Sequence, residues 1–112
     1  MEHGWLTTLR RDGSPRTSRV WFVEHSEAIW VATSESNRKV ADLARDARFT
    51  FAVEGRHGAT SGHADIVSIE SQPTVTRLFA EQYGGWDAAD PSQYGPRLLI
   101  RLPTPPAQDR VD

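Results

Sequence analysis

A polar stretch of seven residues, 33–39 (TSESNRK), has the residue types and spacing of an anion-binding site. It follows an apolar run at 28–32, which favours a buried strand, and precedes a segment with helical spacing. The first N–H groups of a helix lack intrahelical partners and attract anions. Two basic side chains and the hydroxyls of Ser34 and Ser36, either of which can cap the helix, add further donors. The stretch therefore predicts a phosphate-binding helix start.

Lys39 is the only lysine among the 13 basic residues of the chain. Its compact ammonium group suits a phosphate as a point charge. Basic residues in the first turn of a helix oppose the helix dipole, so an anion beside Asn37, Arg38 and Lys39 would remove an unfavourable arrangement. The alternative is that Arg38 and Lys39 are ordinary solvated residues of that turn.

The sequence has few other motifs that indicate catalysis or ligand binding. There is no nucleophile elbow or paired-carboxylate arrangement, so no catalytic residue is assigned. The four histidines lack the spacing of metal ligands, and no metal site is predicted. Trp86 follows a glycine pair in a predicted loop, and we expect it to line a pocket. Further candidates to contact an anionic ligand are four arginines: Arg16, Arg56, Arg97 and Arg101.

Six short strands are predicted, at residues 5–9, 15–23, 28–33, 48–53, 62–69 and 97–102. A helix is predicted at about 37–46, where Val40, Leu43, Ala44 and Ala47 recur at helical spacing on one face. Another is predicted from Pro73 to the glycine pair at 84–85. This order indicates a mainly β fold with helical inserts, arranged as a small antiparallel barrel. Residues 1–102 are expected to form one domain, and 103–112 a Pro-rich tail.

Composition narrows the class of protein. A chain of 112 residues with 38% hydrophobic content supports a single modest core. A net charge of −2 and a pI near 6.1 argue against a nucleic-acid-binding protein. The chain has no cysteine, and it shows neither a signal peptide nor an apolar run long enough to cross a membrane. We expect a soluble cytoplasmic protein.

The order of elements and several short motifs resemble the flavin-binding split β-barrel of the pyridoxamine-phosphate oxidase superfamily, especially its actinobacterial oxidoreductase branch. The matching segments are DGSPR at 12–16, RVWF at 19–22, Thr33 at the end of the third strand, NRK at 37–39 and GHADIV at 62–67. The resemblance covers roughly residues 5–102. It implies a six-stranded antiparallel split β-barrel of the FMN-binding type.

The resemblance also implies a cofactor site. The phosphate of FMN, or of the deazaflavin coenzyme F420, would lie against Arg38 and Lys39, and the ring system along the second strand and the end of the third. A homodimer with two cofactor sites at the interface and a small-molecule substrate is implied as well. With Trp86, the expected cofactor-binding residues are Arg19, Val20, Trp21, Phe22, Ala32, Thr33, Ser34, Ser36, Asn37, Arg38 and Lys39.

Two departures from the family pattern bear on function. The family usually has a helix before the first strand, which is predicted here within a few residues of Met1. Residues 103–112 have no clear counterpart of the C-terminal residues that hold pyridoxal phosphate, so true pyridoxamine-phosphate oxidase activity is not expected.

The expected function is a flavin- or deazaflavin-dependent oxidoreductase that transfers hydride to a small conjugated acceptor. The high ratio of arginine to lysine is typical of GC-rich genomes and favours the deazaflavin, with FMN as the alternative. A different class of function is also open: a non-enzymatic protein that carries or senses flavin or haem, or a cofactor-free interaction module.

Overall fold

The computed structural model describes residues 2–92 and 95–104, which form eight strands and two helices. Helix α1 (Arg38–Arg45) follows the fourth strand, and α2 (Pro73–Gln82) follows the seventh after a 3-10 turn at Ile69–Ser71. The strands are β1 (His3–Leu9), β2 (Pro15–Trp21), β3 (Val23–His25), β4 (Ala28–Ser34), β5 (Arg48–Val53), β6 (Thr60–His63), β7 (Asp65–Val67) and β8 (Arg97–Pro103).

The strands pair as two four-stranded antiparallel sheets. Sheet 1 has the order β2-β1-β5-β6, and sheet 2 has the order β3-β4-β8-β7. The edge strand β2 continues into β3 after one residue, Phe22, and β6 continues into β7 after Ala64. Two of the six predicted strands are thus each broken where the chain passes between sheets. The mainly β fold with helical inserts is confirmed, but the described strands pair as two sheets rather than one closed six-stranded barrel.

Sheet 2 is buried on both faces. One face packs against sheet 1 through apolar side chains that include Leu6, Phe22, Phe51, Val31 and Ile100. The other packs against α2 through a second apolar cluster that includes Val23, Trp30, Val75, Phe79 and Leu99. Burial on both faces explains why residues 28–32 of β4 are all apolar and do not alternate.

The outer face of sheet 1 is open to solvent. Trp5 on this face is 40% exposed. Hydroxyl groups pair across neighbouring strands on the same face, Thr7 with Thr17 at 2.9 Å and Thr50 with Ser61 at 3.1 Å. Sheet 1 therefore presents a polar surface with one exposed indole.

Helix α1 does not bury the apolar face that its sequence predicts. Its buried residues are Lys39, Asp42 and Leu43, whereas Ala44 is exposed. The reason is that polar groups of β1 and β2 meet this helix and bind Asp42. Helix α2 matches its prediction more closely, because it begins at Pro73 and buries Val75 and Phe79.

Pro103 belongs to β8, so this strand passes the predicted domain boundary at residue 102. Most of the predicted tail, residues 105–112, lies outside the described residues. Neither described helix has the length and apolar character needed to span a bilayer. The cytoplasmic location stays a prediction.

Candidate functional site

A groove opens where the ends of β2 and β4 meet the start of α1. It consists of two adjoining spaces, of about 710 and 400 Å³, that share Trp21, Ala32, Thr33 and Trp86. The larger space is also lined by residues around the start of α1 and of β8: Ser34, Ser36, Asn37 and Arg97. The smaller space is also lined by residues of four elements: His3, Arg19, Val20, Val31 and Lys39. Spaces of this size accommodate a cofactor.

Asn37 caps helix α1 at the edge of this groove. Its Oδ1 accepts hydrogen bonds from the backbone N of Lys39 at 3.0 Å and from its Nζ at 2.9 Å. The prediction that Ser34 or Ser36 caps the helix was wrong, because Ser34 belongs to β4 and its hydroxyl lies 3.0 Å from that of Ser36. The backbone N–H group of Lys39 is therefore already hydrogen-bonded. The positive charge that the start of α1 offers to the groove is that of the Lys39 ammonium group.

Lys39 is buried, with 7% of its surface exposed. Among the described residues no carboxylate lies within 4.0 Å of its ammonium group. Burial and repulsion by Arg16 lower the pKa of Lys39 below 10.5, and attraction to Asp42 offsets part of this effect. A buried cation whose hydrogen-bond partner is a neutral amide is unfavourable, and a bound anion would stabilise it.

Asp42 joins α1 to β1 and β2. Its Oδ2 accepts hydrogen bonds from Thr8 Oγ1 at 2.8 Å and Arg16 Nε at 2.6 Å, and its Oδ1 accepts one from Arg45 at 3.2 Å. Burial disfavours the ionised carboxylate, but these hydrogen bonds outweigh burial and hold the pKa of Asp42 below 3.8. Because Arg16, Arg45 and Lys39 surround this carboxylate, the cluster retains a net positive charge.

Aromatic rings form one wall of the groove. Trp21 stacks on Tyr83 with ring centroids 4.4 Å apart and planes 14° apart, and Trp86 meets Trp21 edge-on at 5.4 Å. Phe79 packs behind Trp86 at 5.6 Å. The guanidinium of Arg97 lies 4.9 Å from the centroid of Trp86. These contacts fix the rings in place, and a rigid aromatic wall suits a planar ligand.

The structure brings most of the predicted cofactor-binding residues to this groove. Phe22 is an exception, because its side chain is 1% exposed and lies in the core between the sheets. Arg38 is exposed and does not line either space. The other ten line the groove: Arg19, Val20, Trp21, Ala32, Thr33, Ser34, Ser36, Asn37, Lys39 and Trp86. Their contact with a cofactor stays a prediction.

Two groove residues, His3 and Val31, were not predicted. Val31 belongs to the apolar run at 28–32, and the sequence marks it only as a core residue of a strand. His3 is an isolated histidine near the start of the chain, and its place in the groove depends on a tertiary contact with Trp21. A half-buried tryptophan usually finds an acceptor for its N–H group, but the sequence does not indicate which residue supplies it.

The four arginines proposed as further cations differ in position and in partner. Arg97 lines the groove, whereas Arg16 is paired with Asp42 and Arg101 lies 3.3 Å from a carboxylate oxygen of Asp65. Arg56 lines a separate cavity of about 510 Å³ and pairs with Glu2 at 2.7 Å. No group of three or more His, Asp or Glu side chains among the described residues could hold a metal ion.

Helix starts bind anions, and aromatic side chains contact planar rings; this groove combines the two features. The chain belongs to the pyridoxamine 5'-phosphate oxidase family, whose model matches residues 2–104. A comparison with curated protein sequences finds no match.

Solved structures share this fold at low sequence identity. An F420 reductase is 20% identical, with a TM-score of 0.72 over 93% of this chain and 86% of that chain. The haem storage protein HutZ from Vibrio cholerae is 20% identical, with a TM-score of 0.72 over 94% and 82% of the two chains. A pyridoxamine 5'-phosphate oxidase-related, FMN-binding protein from Nostoc punctiforme is 12% identical, with a TM-score of 0.66 over 91% and 70%.

Proposed function

We propose that this protein is a dimeric split-barrel oxidoreductase that binds the deazaflavin coenzyme F420 or FMN and transfers hydride from it to a small conjugated acceptor. The observation that carries the proposal is the position of Lys39. Its buried ammonium lies at the start of α1 and lines a groove with an aromatic wall. A phosphate group there would neutralise a cation that the described carboxylates do not pair within 4.0 Å.

The groove residues fit a flavin-type coenzyme. Lys39 and the hydroxyls of Ser34 and Ser36 would bind the phosphate. Trp21 and Trp86 would contact the planar ring system from the aromatic wall. The bound coenzyme supplies the hydride, and the protein contributes binding, orientation and electrostatics. These contributions agree with a groove that has an aromatic wall and a cation at the helix start.

The choice between the two coenzymes depends on positive charge beyond the phosphate site. The deazaflavin carries a longer anionic tail than FMN, and Arg97 places a cation in the larger space of the groove, whereas Lys39 lines the smaller space. The fold shared with an F420 reductase also supports the deazaflavin. FMN, with its single phosphate, needs only the Lys39 end, and the FMN-binding neighbour supports that alternative. We favour the deazaflavin.

The homodimer would form through the outer face of sheet 1. This face carries the exposed indole of Trp5, which pairs across the strands with the groove residue Arg19. A partner seated on this face would bury the indole and border the groove. Light scattering should therefore show a dimer for the natural sequence and a monomer for Trp5→Glu, and a dimeric Trp5→Glu variant would contradict this interface.

Fluorescence titrations of the purified protein with F420 and with FMN, in separate experiments, test the proposed function. One coenzyme should bind at micromolar concentration. Lys39→Met should weaken its binding by about 1 to 3 kcal/mol, the scale of a charge-assisted hydrogen bond. Arg77→Met is the matched control, because Arg77 is an exposed residue of α2 that does not line the groove.

Binding of neither coenzyme would contradict the proposal and favour an interaction module. If a coenzyme binds, reduced coenzyme should be reoxidised when a conjugated acceptor is added. A bound coenzyme that no acceptor reoxidises would instead indicate a carrier or sensor, a class that the fold shared with a haem storage protein also supports.

A further inference from the structure

A hydrogen bond between Trp21 and His3 determines which nitrogen of the histidine carries the proton. Trp21 Nε1 lies 3.1 Å from His3 Nε2. An indole N–H group can only donate, so Nε2 must be an unprotonated acceptor. The neutral imidazole then carries its proton on Nδ1. Because Trp21 is held by stacking on Tyr83, the tautomer is set by a fixed partner.

The Nδ1–H group is open to a ligand. His3 is half-buried and lines the smaller space of the groove. Its Nδ1 has no hydrogen-bond partner among the described residues. Every buried polar side-chain atom of those residues does have a partner, so Nδ1 is not one of the buried atoms. Nδ1 is therefore accessible to solvent.

The charged groups near His3 are occupied with other partners. Arg19 forms an exposed ion pair with Glu54 at 2.9 Å, and the Lys39 ammonium donates to Asn37. Lys39 lies at the start of α1, whereas His3 comes from the start of β1. The groove thus has a cation suited to a phosphate and, on a different element, a neutral N–H donor suited to an uncharged oxygen.

We propose that His3 donates a hydrogen bond from Nδ1 to the carbonyl oxygen of the acceptor, and that Trp21 is the positioning residue that keeps the proton on Nδ1. This inference rests on the proposed function. A neutral imidazole in such a role stabilises negative charge that develops on oxygen without itself losing a proton.

The proposed reaction is the two-electron reduction of a conjugated carbonyl acceptor. Hydride supplied by a bound reduced coenzyme would form a C–H bond at the β-carbon, and the electron pair of the C=C bond would shift to give an enolate on the acceptor. Nδ1–H of His3 donates to the enolate oxygen, and a proton from water then completes the reduction at the α-carbon. The acceptor would gain the two electrons that the coenzyme gives up, the hydroxide left from water would pass to solvent, and His3 would end neutral.

Nitrogen-15 NMR of the protein without coenzyme tests the tautomer. In mildly alkaline buffer the His3 ring should show a protonated Nδ1 and an unprotonated Nε2. Trp21→Phe keeps a stacked ring but removes the indole donor, so the Nε2–H tautomer should appear in this variant. A natural His3 that is protonated at Nε2 would overturn the proposal, whichever coenzyme the protein binds.

Reduction of cyclohexenone by the coenzyme-loaded protein tests the catalytic role. His3→Phe should lower kcat/KM about 100-fold, as removal of one donor to a developing oxyanion does elsewhere. Loss of the acceptor for the Trp21 N–H group should lower the unfolding midpoint slightly, and coenzyme affinity should change much less than kcat/KM. His3→Gln, whose amide can accept from Trp21 and donate to the acceptor, should restore most of the activity.

Other outcomes would be equally decisive. Unchanged kcat/KM in His3→Phe, or an equal loss in His3→Gln, would overturn the role of His3. A loss of coenzyme affinity in both variants would make His3 a structural support for Trp21 only. Failure of the natural protein to bind either coenzyme would refute the proposed function and this catalytic role together, and the NMR result would still decide the tautomer.

Discussion

The hydroxyl group of Tyr83 contacts the backbone N and O of Phe22, as a neighbouring strand would in a sheet. Phe22 is the single residue between β2 and β3, where the chain leaves one sheet for the other. The Tyr83 oxygen accepts a hydrogen bond from Phe22 N at 3.0 Å and lies 2.8 Å from both Phe22 O and Glu2 O, to one of which it donates. Burial raises the pKa of Tyr83, so the hydroxyl keeps the proton that it donates.

Tyr83→Phe should lower the free energy of unfolding by about 1 to 2 kcal/mol, because the buried N–H of Phe22 would lose its partner. The stack of residue 83 on Trp21 remains in this variant, so the loss isolates the hydroxyl group. Urea unfolding followed by tryptophan fluorescence measures it. An unchanged midpoint would mean that another group satisfies Phe22.

Lys39→Met should raise the stability of the coenzyme-free protein by about 1 kcal/mol at neutral pH, because it removes a buried charge. The pKa of Lys39 is lowered in the folded state, so the unfolded chain binds more protons as pH approaches 10.5. The natural protein should therefore gain stability with rising pH, and its difference from Lys39→Met should shrink. Unfolding at neutral and at alkaline pH tests this trend. A variant that is less stable than the natural protein would contradict it.

Asp42→Asn should lower the free energy of unfolding by about 2 to 3 kcal/mol at neutral pH, since Arg16 and Arg45 would lose a charged acceptor. The pKa of Asp42 is depressed below 3.8, so this contribution is present above that pH and is lost as the pH falls below it. Asp65→Asn is the matched control, because its pair with Arg101 is largely exposed and should contribute little. Equal losses in both variants would contradict the special role of the buried carboxylate.

Gly4→Ala should destabilise the fold by about 1 to 3 kcal/mol through overpacking. A Cβ atom at Gly4 would come within 2.1 Å of the Phe51 ring, which lies in the core between the sheets. Gly62→Ala provides a control on the next strand pair, because its Cβ would lie 3.4 Å from Phe49, close to ordinary contact. Thermal unfolding of the two variants should show a loss for Gly4→Ala that Gly62→Ala lacks.

Much of the fold was predictable because local signals agree with the tertiary structure. The turn at Gly13, which has a φ of 87°, and the strand β5 appear where the sequence indicates them. The break at Phe22 was not predictable, because it lies within a run of strand-forming residues. Around Ala64 the weak strand formers Gly62 and Asp65 do not indicate the exact point of the second break. Both breaks arise where the chain changes sheet, and only the pairing of distant strands determines that point.

The candidate site was predictable in outline and not in its chemistry. Adjacency along the chain identifies Lys39 as a residue at a helix start. Its burial is set by tertiary packing, as is the neighbouring Asp42 cluster, whose partners Thr8 and Arg16 are distant in sequence. The contact of His3 with Trp21 likewise joins residues that are 18 positions apart.

Lys39 also allows the groove to be labelled selectively by a chemical reagent. It carries the only side-chain amine in the sequence, and the chain has no thiol. Its lowered pKa leaves more of the amine in the nucleophilic neutral form than an exposed lysine would have. An acylating reagent small enough to enter the groove would therefore label one side chain, and protection from that label would report occupancy of the groove by any ligand.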